Sequence, residues 1–133
     1  MKTLEQEFAA KIYDQVFAVK DLPDHKKYGS MAYTLPILVR TAGLAQALAF
    51  VASRGKDKEN NPYDRLLEHL AKVVIGETSD KKALLNKSRN DKLHDYMYLT
   101  RRTLLALKWY KRFAESVLGV TATDQPDDGG ENG

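Results

Sequence analysis

The chain has 133 residues, a hydrophobic fraction of 43% and a formal net charge of +3, which suits one domain able to bury a core of its own. It contains no cysteine, so disulfides, thiolate zinc sites and cysteine nucleophiles are excluded. No stretch reaches the ~18 uninterrupted apolar residues of a membrane span, and Met1 to Glu7 leads into no apolar signal core. A cytoplasmic protein with no membrane contact is the expectation.

Residues 3–20 read as the first helix. Thr3 and Gln6 have the spacing of a capping box, and Leu4, Phe8, Ile12, Val16 and Val19 fall on one face. Tyr13 and Phe17 form a smaller apolar patch on another face. Pro23 stops continuation. Residues 25–54 read as helical but interrupted. Pro36 removes a backbone donor, and Thr41-Ala42-Gly43 is a second break point, with Thr41 able to cap the next helix. Two helices, about 26–40 and 41–54, are predicted, with a single break at Pro36 as the alternative. Apolar residues go nearly all the way round from Ile37 to Val51, which predicts a central, buried helix.

Lys56 to Asn61 belongs to a polar loop that starts at Gly55, and Asn61-Pro62 is a good helix start. A helix over about 62–75 comes next, with Leu66, Leu67, Leu70, Val73 and Val74 inward. Ser79-Asp80 opens a short helix near 80–88, and Asn90-Asp91 a last helix over about 91–118. That helix is two-faced. Tyr96, Leu99, Thr103, Ala106, Leu107, Tyr110, Ala114, Val117 and Leu118 share one side, while Arg101, Lys108 and Arg112 stand at i, i+7 and i+11 on another. With no alternating β-branched runs, the predicted fold is all-α: a compact single-domain bundle of five to six helices over residues 1–118. Residues 119–133 hold Asp124, Asp127, Asp128 and Glu131 and no Lys or Arg. Such an acidic, glycine-rich tail lacks the apolar surface to fold and is expected to be disordered. Without it the body has 14 acidic against 21 basic residues, a charge of +7.

Catalytic chemistry is not visible. His25, His69 and His94 belong to no metal-binding spacing. Asp64, Glu68 and His69 read as solvated side chains. Phosphate loops and nucleophile elbows are missing. A non-enzyme without cofactors is expected. The basic residues are more informative. Arg101 to Arg112 mixes cations with aromatics, and Lys and Arg on one helix stripe suit a phosphate chain. Trp109 and Tyr110 read as core or interface residues. Lys26, Lys27 and Tyr28 make a second basic spot. Arg40 and Gln46 are polar residues in the most apolar helix, each needing a partner or an opening to solvent.

Two runs are specific in combination: Lys27-Tyr28-Gly29-Ser30-Met31-Ala32 continuing through Leu35-Pro36 to Ala49-Phe50, and Tyr98-Leu99-Thr100-Arg101-Arg102 continuing through Leu107-Lys108-Trp109-Tyr110-Lys111-Arg112 to Ala114. Together they resemble the small α-helical subunit of the type III-B CRISPR effector, the Cmr complex. The resemblance covers the body from the first helix to Leu118, is loose over 55–90 and has no counterpart for the tail. It implies a non-catalytic helical subunit that lines the channel where crRNA pairs with target RNA, in contact with backbone and large subunits and with copies of itself. The residues it implies for RNA binding are Lys27, Arg40, Arg101, Lys108, Lys111 and Arg112, with Lys111 nearer the apolar face by helical phase. Two other readings remain: an interaction scaffold that never touches nucleic acid, and a helical DNA-binding regulator, disfavoured because no tight helix-turn-helix pair precedes the long last helix.

Overall fold

A computed structural model describes residues 1–124. Among these residues there are six α-helices and no strand: α1 (Leu4–Val19), α2 (His25–Ala42), α3 (Leu44–Arg54), α4 (Pro62–Val74), α5 (Lys81–Asn90) and α6 (Leu93–Ser116). None is long and apolar enough to cross a membrane.

Local chemistry starts the helices. Thr3 and Gln6 form the full capping box of α1. Asn61 accepts from the Asp64 N–H at 2.8 Å to cap α4, while its amide donates to the carbonyls of Gly55 and Lys58 and so closes the preceding loop. Asp80 caps α5 through the Ala83 N–H. Pro36 does not break α2. It is buried inside the helix, which continues to Ala42. The break falls at Gly43, whose φ of 90° few residues but glycine adopt. Thr41 does not cap α3; its hydroxyl bonds back to the Ile37 carbonyl. The start of α3 is served instead from α6, where the Tyr96 hydroxyl accepts from the Ala45 N–H at 3.2 Å.

The centre of the molecule is α6, which packs on α1, α2, α4 and α5 and buries Leu99, Thr103, Ala106, Leu107, Tyr110 and Ala114. The predicted central segment is less enclosed. Ile37 is 61% and Phe50 40% exposed, and Gln46 faces solvent. Apolar content there exceeds what neighbouring helices cover. Leu4 also stands outside the core, because the α1 stripe outruns its neighbours at the first turn. Packing continues past the predicted boundary at Leu118: Val120 is fully buried, and a Cβ on Gly29 would lie 2.5 Å from its Cγ2. The absence of a side chain at Gly29 is thus what lets the chain after α6 lie on α2. From Gln125 onward the acidic stretch lies outside the described residues.

Polar groups cross the core as a chain. The Tyr28 hydroxyl bonds the His69 ring at 2.7 Å. Gln15 donates to the His69 carbonyl at 3.0 Å and accepts from the Tyr110 hydroxyl. Tyr28 is therefore a core residue and no part of a basic surface spot, and His69 is not a solvated side chain.

Candidate nucleic-acid interface

Helices α2 and α6 run in opposite directions. Lys111 sits 4.8 Å over the ring of Tyr33, while Tyr96, fifteen residues earlier on α6, reaches Ala45 just beyond the end of α2. Between them lies a cleft of about 360 Å³ lined by Tyr33, Pro36, Ile37, Arg40, Leu104, Lys108, Lys111, Arg112 and Glu115. Four of the six cations expected to contact RNA meet here: Arg40, Lys108, Lys111 and Arg112. Arg40 is exposed, so the burial problem its sequence context raised does not arise. Lys111 is half-buried, its ammonium held against the Tyr33 ring while still lining the cleft. Its position serves both the packing and the charge of the site.

Lys108 is already engaged. It pairs with Glu5 of α1, whose other close contact is the Trp109 indole N–H at 2.9 Å. Hydrogen bonding from Lys108, then from Trp109, holds the Glu5 carboxyl below the usual carboxylate range. An anion in the cleft must share Lys108 with Glu5. The sequence gives no sign of this carboxylate, since nothing local links the first turn of the chain to the last helix. Arg101 and Lys27 are exposed but do not line the cleft. Arg101 continues the stripe, two turns from Lys108, about 10 Å at the α-helical rise. Arg102 turns inward, donating to the Val74 carbonyl at 3.1 Å and stacking over Phe8.

A second, larger cleft of about 600 Å³ opens between α3, the 55–61 loop and α5. It carries Lys56, Lys58, Lys81 and Arg89 against Asp57, Glu59 and Asp64. Its signs nearly cancel, and Lys81 is paired with Asp64 at 2.7 Å. The α2/α6 cleft has four cations and one acid, so it is the better polyanion site. The carboxylates near His69 already have partners. Asp64 is held by Lys81 and Asn61, Glu68 accepts from the Lys81 N–H, and among the described residues no group of three or more His, Asp or Glu side chains could hold a metal ion.

Residues 4–117 match the family model of a CRISPR-associated protein (Cas_Cmr5). The chain belongs to the Cmr5 family. It is 40% identical over 118 residues to the CRISPR system Cmr subunit Cmr5 of Thermus thermophilus, an alignment covering 89% of this chain and 98% of that protein. The crystal structure of a Cmr5 family protein from the same organism has the same fold, with a TM-score of 0.79, 40% identity and coverage of 89% and 99%. The part matched to Cmr5 contains all six described helices and all the cleft cations. Leu118, Val120 and the acidic stretch lie beyond it.

Proposed function

We propose that this chain is a non-catalytic subunit of a Cmr-type RNA-guided complex in the cytoplasm, and that its α2/α6 cleft holds the phosphate chain of RNA. The observation that supports this most is the convergence of Arg40 from one helix with Lys111 and Arg112 from another in a single cleft. Cations on two walls fit a strand lying between them better than a row on one open face does. Recognition of this kind neutralises charge and is indifferent to sequence; base pairing between crRNA and target RNA would supply sequence selection. Lys27 and Arg101 would act at the margins of the contact. The Thermus relative is described as a Cmr subunit, and we extend that role here, with backbone and large subunits and further copies of this chain as partners.

The scaffold reading has its own support. Leu93, Met97 and Tyr98 are 72%, 47% and 54% exposed at the start of α6, an apolar patch suited to contact with another subunit. Both roles fit one molecule, on different faces. The DNA-regulator reading does not gain. Only Asp91 and Lys92 join α5 to α6, so a tightly connected helix does precede the long one, contrary to the sequence argument against this reading. Yet the exposed residues in the first turns of α6 are Leu93, His94, Asp95, Met97 and Tyr98, with no Lys or Arg among them, whereas a recognition helix commonly reads bases with Arg, Lys, Asn or Gln there.

The test is fluorescence anisotropy with single-stranded RNA of random sequence, comparing wild type with the triple variant Arg40→Glu, Lys111→Glu, Arg112→Glu. Circular dichroism checks that both are folded. Wild-type binding that weakens with salt and drops at least tenfold in the variant is expected. Equal binding by both proteins would remove the cleft from the interface, and no wild-type binding at low salt would leave the scaffold reading.

A further inference from the structure

Beside the α2/α6 cleft, four aromatic rings from α1 and α6 form a continuous row at the surface. Trp109 lies against Phe113 with ring centroids 5.7 Å apart, Phe113 meets Tyr13 edge-on at 5.3 Å, and Tyr13 stacks on Phe17 at 5.8 Å. Tyr13 and Phe17 are exposed, and Trp109 and Phe113 are half-buried. The core does not need the two α1 rings, because that helix buries Phe8, Ile12, Val16 and Val19 on another side. Three cations stand at the row: Lys20 lies 4.7 Å from the Phe17 ring centroid, and Lys108 and Arg112 each lie 5.8 Å from the Trp109 ring. Lys20 and Lys108 also pair with Asp21 and Glu5, at solvent-exposed positions where such pairs are weak. The Trp109 indole N–H donates to Glu5 at 2.9 Å, which fixes the orientation of that ring.

A protein partner seated on this row would bury its cations, two of which are lysines, and lysine is depleted at protein–protein interfaces. Unpaired nucleic acid complements both parts of the row: a base offers a π face to a ring, and its phosphate takes the cation. Lys108 and Arg112 also line the α2/α6 cleft, so the same two cations border both surfaces. We propose that the row Trp109, Phe113, Tyr13, Phe17 is a base-stacking platform for single-stranded RNA, with phosphates held by Lys108 and Arg112 at one end and by Lys20 at the other. The path of the phosphates rests on the reading of the cleft given above; the stacking is a second site with residues of its own.

A paired strand keeps its bases inside the duplex and cannot use the row, so the platform selects RNA that has not yet paired. Stacking tolerates any base, since each has a π face. It also adds affinity that salt does not screen, unlike the phosphate contacts.

The experiment follows the fluorescence of Trp109, the one tryptophan of the chain. The full chain is titrated with three probes of equal length: an unstructured single-stranded RNA, the same RNA paired with its complement, and an abasic ribose-phosphate oligomer. Beside it runs the variant Tyr13→Leu, Phe17→Leu, which keeps apolar bulk and removes two rings, with circular dichroism to check the fold. Single-stranded RNA should quench Trp109, and the other two probes should leave it nearly unchanged. The variant should bind single-stranded RNA about 5–10-fold more weakly and the abasic oligomer as wild type does. Equal quenching by the abasic oligomer, or unchanged RNA affinity in the variant, would overturn the platform. Unchanged RNA affinity together with weaker assembly onto other Cmr subunits would make the row a protein interface instead. A second variant, Arg40→Glu, Lys111→Glu, charges the cleft and spares the platform. Quenching that survives in it at wild-type affinity would keep the platform and remove the cleft, whereas binding lost there but intact in the leucine variant would keep the cleft alone.

Discussion

The His69 ring meets the Tyr28 hydroxyl on one side, while Arg65 and Lys72 are the charges acting on it most. Burial first, then Arg65, then Lys72 disfavour a further positive charge, and the ring's pKa is pushed down to about 4. An unfolded histidine titrates near 6.5. Between these values the unfolded chain binds the proton and the folded chain does not, so stability falls as pH drops from about 6.5 to about 4 and this loss is complete below. The shift corresponds to roughly 3 kcal/mol at its full extent. Urea midpoints between pH 7 and pH 4.5 should therefore fall more steeply in wild type than in His69→Phe, which cannot titrate. Parallel pH profiles would mean that the ring is protonated in the fold. The variant also strands the Tyr28 hydroxyl, so it should be less stable at pH 7.

At the scale of elements, Gly29 joins α2 to the segment after α6. An alanine there gains a little helix propensity but drives its Cβ into Val120 and Leu118. Overpacking of this kind costs about 1–3 kcal/mol against a propensity gain of about 1 kcal/mol, so Gly29→Ala should be net destabilising by up to about 2 kcal/mol in urea unfolding. Val120→Ala should restore part of that loss in the double variant, and additive effects would disconnect the two positions. The same elements show what a sequence can and cannot disclose. The caps at Thr3, Asn61 and Asp80 were legible because donor and acceptor lie three residues apart. The face of α6 was legible because its period is regular. The partners of His69 and Lys108 were not, since Tyr28 and Glu5 come from distant helices and only the packed fold brings them near. The depth of Pro36 inside α2 was hidden for the same reason: tertiary burial on α6 and α4 outweighs one missing backbone donor.

For the whole molecule the question is how many cations work together. Six were implied by the family resemblance, but the fold gathers four of them in the α2/α6 cleft and commits Lys108 to Glu5, leaving Arg40, Lys111 and Arg112 as the charges an incoming phosphate meets without competition from Glu5. Each phosphate neutralised on a single strand contributes about −0.7 to the slope of log K against log salt. Three contacts give a slope near −2, and six give about −4. The full chain is the protein to titrate. Random single-stranded RNAs of equal length and different composition should bind it within about twofold of one another, with a slope near −2. A slope near −4 would bring Lys27, Arg101 and Lys108 into the contact and make the surface a broad face rather than a cleft. Arg112→Gln should then reduce the slope by about 0.7 in either case, while Lys27→Gln should reduce it only if the broad face is right. The pair of substitutions decides between the two geometries without any change in the fold.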